Sequence, residues 1–295
     1  MCFGVRDALR KAHDVASAGP ATVLGELVHN AVVQRHLDTL GLQRAHLDRV
    51  GSSGTERVII TAHGAADHQL AGWRAAGYEV TDTTCPLVRK AHTALAQLVA
   101  GGCQGVVIGQ KGHVEVRGLC GDFPGVSVVE NAEEVDALPW AARFGVVAQT
   151  TQPLVRVQAL VARLRERYPA SEVIFRDTVC QPTKDRQLAM EKLCGESTVM
   201  VVVGGRNSNN THQLSETARR AGIRVWQVES AEDLQAGLFR PDDRVGVTAG
   251  TSTLDETMQA VLARMQQIAA SQHKGASAVL AQLSPLVERA LRVIA

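Results

Sequence analysis

Three cysteines, Cys2, Cys85 and Cys180, each open a copy of one short pattern, and thiols repeated at one place in a repeat are candidate metal ligands. The copies read CFGVRDALRKAHDVASAG, CPLVRKAHTALAQLVAGG and CQPTKDRQLAMEKLCGE. In each, a basic residue follows four places on (Arg6, Arg89, Lys184), and apolar residues then recur with helical spacing. A thiol just ahead of a helix meets free N–H groups and the positive end of the macrodipole. Both favour the thiolate, the form that binds metal. Three thiolates could hold zinc with its fourth position open, or an iron–sulfur cluster with one iron free of protein ligands. The contiguous CxxCxxC of ferredoxins is absent, and spacing does not choose between the two. Cys103, Cys120 and Cys194 occupy no repeated place and read as packing residues.

About two dozen residues beyond each cysteine a β-branched run ends in glycine, in TVLGELVHN, VVIGQKGHVE and VVVGGRNSNN. Four places past that glycine stand His29, His113 and Ser208. A second apolar run in each copy leads to another polar loop: VIITAHG with His63, GVVAQTT, and VGVTAGTS with Thr251 and Ser252. Together with Asn209 and Asn210 these loops offer imidazole, hydroxyl and amide donors but few fixed cations, a set suited to a phosphate or diphosphate. A bound anion would raise the pKa of a nearby histidine, so imidazolium could supply the positive charge. Glu115 lies two residues past His113, and in an extended segment the two side chains share a face. An acid beside a histidine in an anion pocket is a candidate proton donor. No Walker A or GxGxxG pattern occurs, so ATP and dinucleotides have no support.

Short apolar runs alternating with longer helical patterns predict parallel strands covered by helices, an α/β fold. Strands are expected at 22–24, 58–60, 105–108, 126–129, 145–148, 199–203, 225–228 and 245–248. The repeat divides the chain into α/β units at 1–84, 85–179 and 180–268, three pseudo-symmetric domains that bring three thiols and six polar loops to one centre. Ligands in such sheets sit off the carboxyl ends of the strands, where all six loops fall. Residues 269–295 depart from the repeat and predict one or two amphipathic helices packed on the body or on a partner subunit, with Ser284-Pro285 as a start signal. The 295 residues are 45% apolar with a net charge of +1, which leaves no broad electrostatic footprint for nucleic acid. Aromatics at 3% argue against base-stacking platforms. No apolar run reaches spanning length or signal-peptide form, so the expectation is a cytoplasmic protein, where spaced cysteines more often ligate metal than form disulfides.

These residues resemble the 4-hydroxy-3-methylbut-2-enyl diphosphate reductases, also called the LytB family, from Cys2 to about Met265. The motifs that carry the resemblance are CFGV, ELVHN, TAHG, DTTCPLV, GHVEVRG, AQTTQ, a late cysteine before KDRQ, GGRNSNNT and TAGTS. The resemblance implies three α/β domains in a trefoil-like array around a central cluster cavity. It implies a [4Fe–4S] cluster held by Cys2, Cys85 and Cys180, with one open iron. It places His29, His63, Ser208, Asn210 and Ser252 in a diphosphate cradle, with Asn209 beside them where the family usually has serine. His113 becomes a pocket residue close to the substrate, Glu115 the essential acid, and Thr150, ahead of Thr151, the hydroxyl that positions the substrate alcohol. The implied reaction is two-electron reductive removal of hydroxyl from an allylic diphosphate, in the methylerythritol phosphate route to isoprenoids, with ferredoxin or flavodoxin as electron donor. Two further departures mark this chain. It begins at Met1-Cys2 where the family has a strand leading into an arginine-glycine-phenylalanine-cysteine turn, so Cys2 is expected to fray, with a misplaced start codon as the preferred explanation. Thr253-Leu254-Asp255 replaces a proline-bearing continuation of TAGTS, and the helical tail replaces a short ending. Two rivals to the reductase are a non-catalytic cluster-bearing sensor or isoprenoid diphosphate binder, and a zinc hydrolase using three thiolates and a bound water.

Overall fold

The computed structural model describes residues 1–272. In chain order these form α1 (Phe3–Ser17), β1 (Thr22–Leu24), α2 (Ala31–Thr39), β2 (Gln43–Ala45), β3 (Arg57–Ile60), α3 (Asp67–Ala75), β4 (Glu79–Asp82), α4 (Pro86–Ala100), β5 (Gln104–Ile108) and α5 (Val114–Cys120). There follow β6 (Ser127–Val129), α6 (Ala132–Asp136), β7 (Arg143–Ala148), α7 (Leu154–Arg167), β8 (Glu172–Phe175), α8 (Gln181–Glu196), β9 (Val199–Val203), α9 (Asn209–Arg220), β10 (Arg224–Val228), β11 (Val245–Ala249) and α10 (Asp255–Gln272). Two compact units emerge. The larger comprises Phe3–Val28 and Gln34–Lys184; the smaller comprises Met1–Cys2, His29–Val33 and the chain from Asp185 on.

The larger unit contains two four-stranded sheets of the same pattern, β2-β1-β3-β4 and β6-β5-β7-β8, with every pairing parallel. The smaller contains the parallel sheet β10-β9-β11, which repeats the first three places of that order. The repeated order is the structural form of the repeat in the sequence, and all the expected strands are present. Central strands are buried on both faces, which is why they read as continuous apolar runs. Val106, Ile108, Val146 and Ala148 pack with Val157, Leu160, Val161 and Leu164 of α7. Val107 and Val147, one residue out of phase, pack with Ala91, Leu95 and Leu98 of α4. Each such side chain contributes about 1.5–3 kcal/mol by leaving water, so the sheet is held rigid at its middle. Strands β2, β4 and β8 were not expected. They are half-exposed edge strands, GlnArgAla, GluValThrAsp and GluValIlePhe; the first two carry no apolar run, and the third carries one of only three residues.

The connections rise to polar loops at the carboxyl ends of β1, β3, β5, β7, β9 and β11. The helices expected after about Ala270 fall beyond Gln272, outside the described residues. Among the described residues no helix is long and apolar enough to cross a membrane.

Candidate active site

Each of the three cysteines stands immediately before a helix: Cys2 before α1, Cys85 before α4 and Cys180 before α8. Each is pinned in the same way. The Cys85 N–H donates to Ala62 O at 3.0 Å, the Cys180 N–H to Thr150 O at 2.9 Å, and the Cys2 N–H to Thr251 O at 2.9 Å. All three acceptors lie two residues beyond an equivalent strand, β3, β7 or β11. Cys2, the position expected to fray, is bonded at its N–H, and the Met1 ammonium meets Asp255 Oδ1 at 2.9 Å. None of the three cysteines forms a disulfide, and each is partly buried. A side chain at Gly4 would place its Cβ 2.4 Å from Cys85 Sγ, so only glycine leaves that sulfur its room. Cys180 Sγ lies 3.1 Å from the buried hydroxyl of Thr183, a residue that sequence reasoning passed over. These are the donors and the helix-end setting that a thiolate-ligated cluster takes. The unrepeated cysteines behave as packing residues: Cys103 is buried, and burial pushes the Cys120 thiol up to about 11 and the Cys194 thiol upward.

In the larger unit His113 is the N-cap of α5, its Nδ1 accepting the Glu115 N–H at 3.1 Å. That bond places the ring proton on Nε2 when the imidazole is neutral. Glu115 thus sits in the first turn of a helix, and the expected extended segment is corrected: capping, rather than strand alternation, brings the two residues together. Gly112, at φ +75°, makes the left-handed turn into the cap. The His63 and His113 rings meet edge to face, centroids 5.6 Å apart. Glu115 is 2% exposed, and its Oε1 accepts the Thr150 N–H at 2.6 Å. Burial raises its pKa from 4.5 to about 7, against the opposing hydrogen bonds from the Thr150 backbone and hydroxyl. One peptide, that of Thr150, therefore ties the buried acid to the Cys180 turn. Beside it Gln149, fully buried, accepts from the Gln110 N–H at 3.0 Å and from Gln152 Nε2 at 2.9 Å, which joins the β5 and β7 loops. Gln149 lies in the AQTTQ motif, but nothing in its spacing marks it as a brace.

In the smaller unit the His29, Ser208 and Ser252 loops meet. Ser252 Oγ donates to His29 O at 3.4 Å, and Asn30 Nδ2 donates to Ser252 O at 2.8 Å while its Oδ1 caps α2 through Val32 and Val33 N–H. Gly205 faces His29 O so closely that a Cβ there would come within 2.4 Å. Ser208 is the N-cap of α9 and accepts from the Thr211 N–H. Asn209 is buried, and its Oδ1 accepts from Gln213 Nε2 at 3.4 Å. Next to it Asn210 Nδ2 is buried with no hydrogen-bond partner among the described residues. A buried donor left unmatched in the first turn of a helix is a vacancy for an acceptor, and an anion is the acceptor a helix N-terminus favours.

A second histidine–carboxylate cluster, Asp67, His92 and Asp122, has ligand atoms close enough to share an ion. Asp122 is already saturated: its two oxygens accept the N–H groups of Asp67 and His68 and face His68 Nδ1 and His92 Nε2 at 2.6–3.0 Å. It caps α3 from α5's end. Those hydrogen bonds, set against the cost of burial, hold its carboxyl down at about 2.

A model of the LytB protein family matches residues 1–266. The 4-hydroxy-3-methylbut-2-enyl diphosphate reductase of Tolumonas auensis is 35% identical over 274 residues, covering 90% of this chain and 86% of its own. The reductase of that name from Aquifex aeolicus is 34% identical over 277 residues, covering 92% and 94%. A solved structure of (E)-4-hydroxy-3-methyl-but-2-enyl diphosphate reductase, described as the terminal enzyme of the non-mevalonate pathway, superposes at a TM-score of 0.66 with 33% identity, over 90% of this chain and 96% of that one. The Plasmodium falciparum E-1-hydroxy-2-methyl-but-2-enyl-4-diphosphate reductase, 24% identical, shares the fold at a TM-score of 0.83 over 89% and 84%. With thiols at three equivalent turns, a buried acid and a family match across nine-tenths of its length, the chain belongs to the LytB family.

Proposed function

We propose that this chain is an iron–sulfur 4-hydroxy-3-methylbut-2-enyl diphosphate reductase, converting that allylic diphosphate to isopentenyl and dimethylallyl diphosphate in the methylerythritol phosphate pathway. The observation that carries the reading within the family is the triple pin of Cys2, Cys85 and Cys180, together with an acid that burial keeps half-protonated at neutral pH. A three-thiolate [4Fe–4S] cluster with one open iron fits three cysteines outside any disulfide, the helix ends behind them and the space that Gly4 leaves at Cys85. When bound, such a cluster supplies electrons singly and Lewis acidity at the iron that lacks a cysteine. In this reading Cys2, Cys85 and Cys180 hold it, the Thr183 hydroxyl supports the Cys180 sulfur, and a ferredoxin or flavodoxin in the cytoplasm is the donor.

The protein's own residues do the rest. Asn210 Nδ2, Ser208, Ser252, His29 and His63, with Asn209 beside them, hold the diphosphate, and His113, whose cap bond places the neutral ring's proton on Nε2, stands close to the substrate. Glu115 keeps a proton on Oε2, because Oε1 is occupied by the Thr150 N–H. The proton passes to the leaving hydroxyl, with the Thr150 side chain positioning that oxygen. The C–O bond breaks, two electrons and a second proton form a C–H bond, and water departs. A pure binder has no use for a buried acid tuned to neutrality. Anaerobic turnover with a chemically reduced dye tests the reading. Wild type is expected to form both products and Glu115→Gln to keep the cluster absorbance while losing about a hundredfold or more in turnover. Near-normal turnover in that variant overturns the acid role, and protein without acid-labile sulfide overturns the cluster.

A further inference from the structure

The basic residue four places beyond each cysteine has no part in that chemistry, and in two copies the structure pairs it. Arg89 forms an ion pair with Asp82, and Lys184 Nζ pairs with Asp177 Oδ2 at 2.7 Å. Both acids lie three places before a cysteine, at equivalent sites: Asp82 ends β4 and Asp177 follows β8, the edge strands of two sheets with the same order. Each acid uses its other oxygen to close the turn that leads to the thiol. Asp82 Oδ1 accepts the Thr84 N–H at 2.8 Å, and Asp177 Oδ1 accepts the Val179 N–H at 3.1 Å. One carboxylate thus fastens the strand end, the residue just before the cysteine and the first turn of the helix after it.

We propose that Asp82 with Arg89, and Asp177 with Lys184, are positioning pairs that clip the Cys85 and Cys180 loops shut and so slow loss of the bound cluster. The inference rests on the cluster assignment made above. For a thiol to leave its iron, the short loop carrying it must open, and opening breaks the clip. The backbone pin at the cysteine N–H holds one side only. The pairs are partly exposed, with Arg89 at 48% and Lys184 at 21%, so each clip changes the rate modestly and in a salt-dependent manner. The two clips use different cations for one task, so arginine and lysine are interchangeable at position 89.

The test is iron release from anaerobically prepared holoprotein to a ferrous chelator, at low and high salt. Asp82→Ala and Asp177→Ala are expected to release iron about fivefold faster than wild type at low salt. Asp82→Asn, which keeps the turn but loses the charge, falls between, and Arg89→Lys stays within about twofold of wild type. High salt speeds the wild type toward the variants and leaves Asp82→Ala unchanged, a response that a general loss of packing does not give. Glu172→Gln, which removes a remote pair with Arg143, serves as the control and leaves the rate unchanged. On the metal-free chain, Cys85 is expected to alkylate faster in Asp82→Ala than in wild type. Equal iron release in wild type and all variants, with the cluster present, overturns the clip alone. Wild type that binds iron without sulfide overturns the cluster assignment and the clip with it.

Discussion

Replacing Glu115 with glutamine removes a buried acid whose pKa is raised, and its consequences for stability follow from the sign of the shift. The carboxyl has a pKa of about 7 in the fold against 4.5 for the free group, because burial outweighs the Thr150 hydrogen bonds. The native state therefore holds this proton more tightly than the unfolded chain. The stabilisation is fully present below about pH 4.5, shrinks as pH rises, and is gone once pH passes the folded value near 7. At about 1.36 kcal/mol per unit, the gap is worth about 3 kcal/mol. Glutamine is neutral throughout and its Oε1 still accepts the Thr150 N–H, so the variant lacks this slope. Urea unfolding of the metal-free wild type and of Glu115→Gln at pH 5 and pH 8 reads the difference. The variant is expected to gain on the wild type by about 2.5 kcal/mol between those pH values. Parallel pH dependences would refute the reasoning, because they would place the native carboxyl near its ordinary value and leave it without a proton to give at neutral pH.

Other outcomes follow from single groups. Cys85→Ser is expected to abolish cluster assembly, read as acid-labile sulfide per chain, against about four for the wild type; an unchanged sulfide content removes Cys85 from the ligand set. Asn210→Ala deletes a donor that has no partner among the described residues, so it is expected to leave the urea midpoint nearly unchanged while weakening inorganic diphosphate binding about tenfold or more by calorimetry. Gly205→Ala would put a methyl within 2.4 Å of His29 O; displacement of the His29 loop is expected to raise the diphosphate dissociation constant severalfold, and an unchanged constant would mean that the loop yields without cost. Asp122→Ala removes the carboxylate that caps α3 from outside and is expected to cost about 1 kcal/mol in urea unfolding at neutral pH without changing sulfide content. Its loss of sulfide would reassign that cluster to the metal chemistry.

Much of this protein is determined locally. The central strands are apolar on both faces and the helices periodic on one, so their positions follow from side-chain spacing alone, and the repeat of Cys, basic residue and glycine-ended strand announces that the sheets share one order. His29, His113, Ser208 and the three cysteines are legible because each recurs at one place in that repeat. What the sequence does not carry is pairing between distant segments. The edge strands β4 and β8, short and half-exposed, are completed by the hydrogen bonds that β3 and β7 offer them. Cys2 is held by Thr251, and Asn30 by Ser252, more than two hundred residues away. Glu115 is marked as a candidate acid by its place after His113, but its burial against Thr150 is not; desolvation, the cause of its shifted pKa, is a property of surroundings and has no local code. The same holds for the clips. Asp82 and Arg89 are near neighbours in sequence, yet only the turn between a strand end and a helix start brings their charges together.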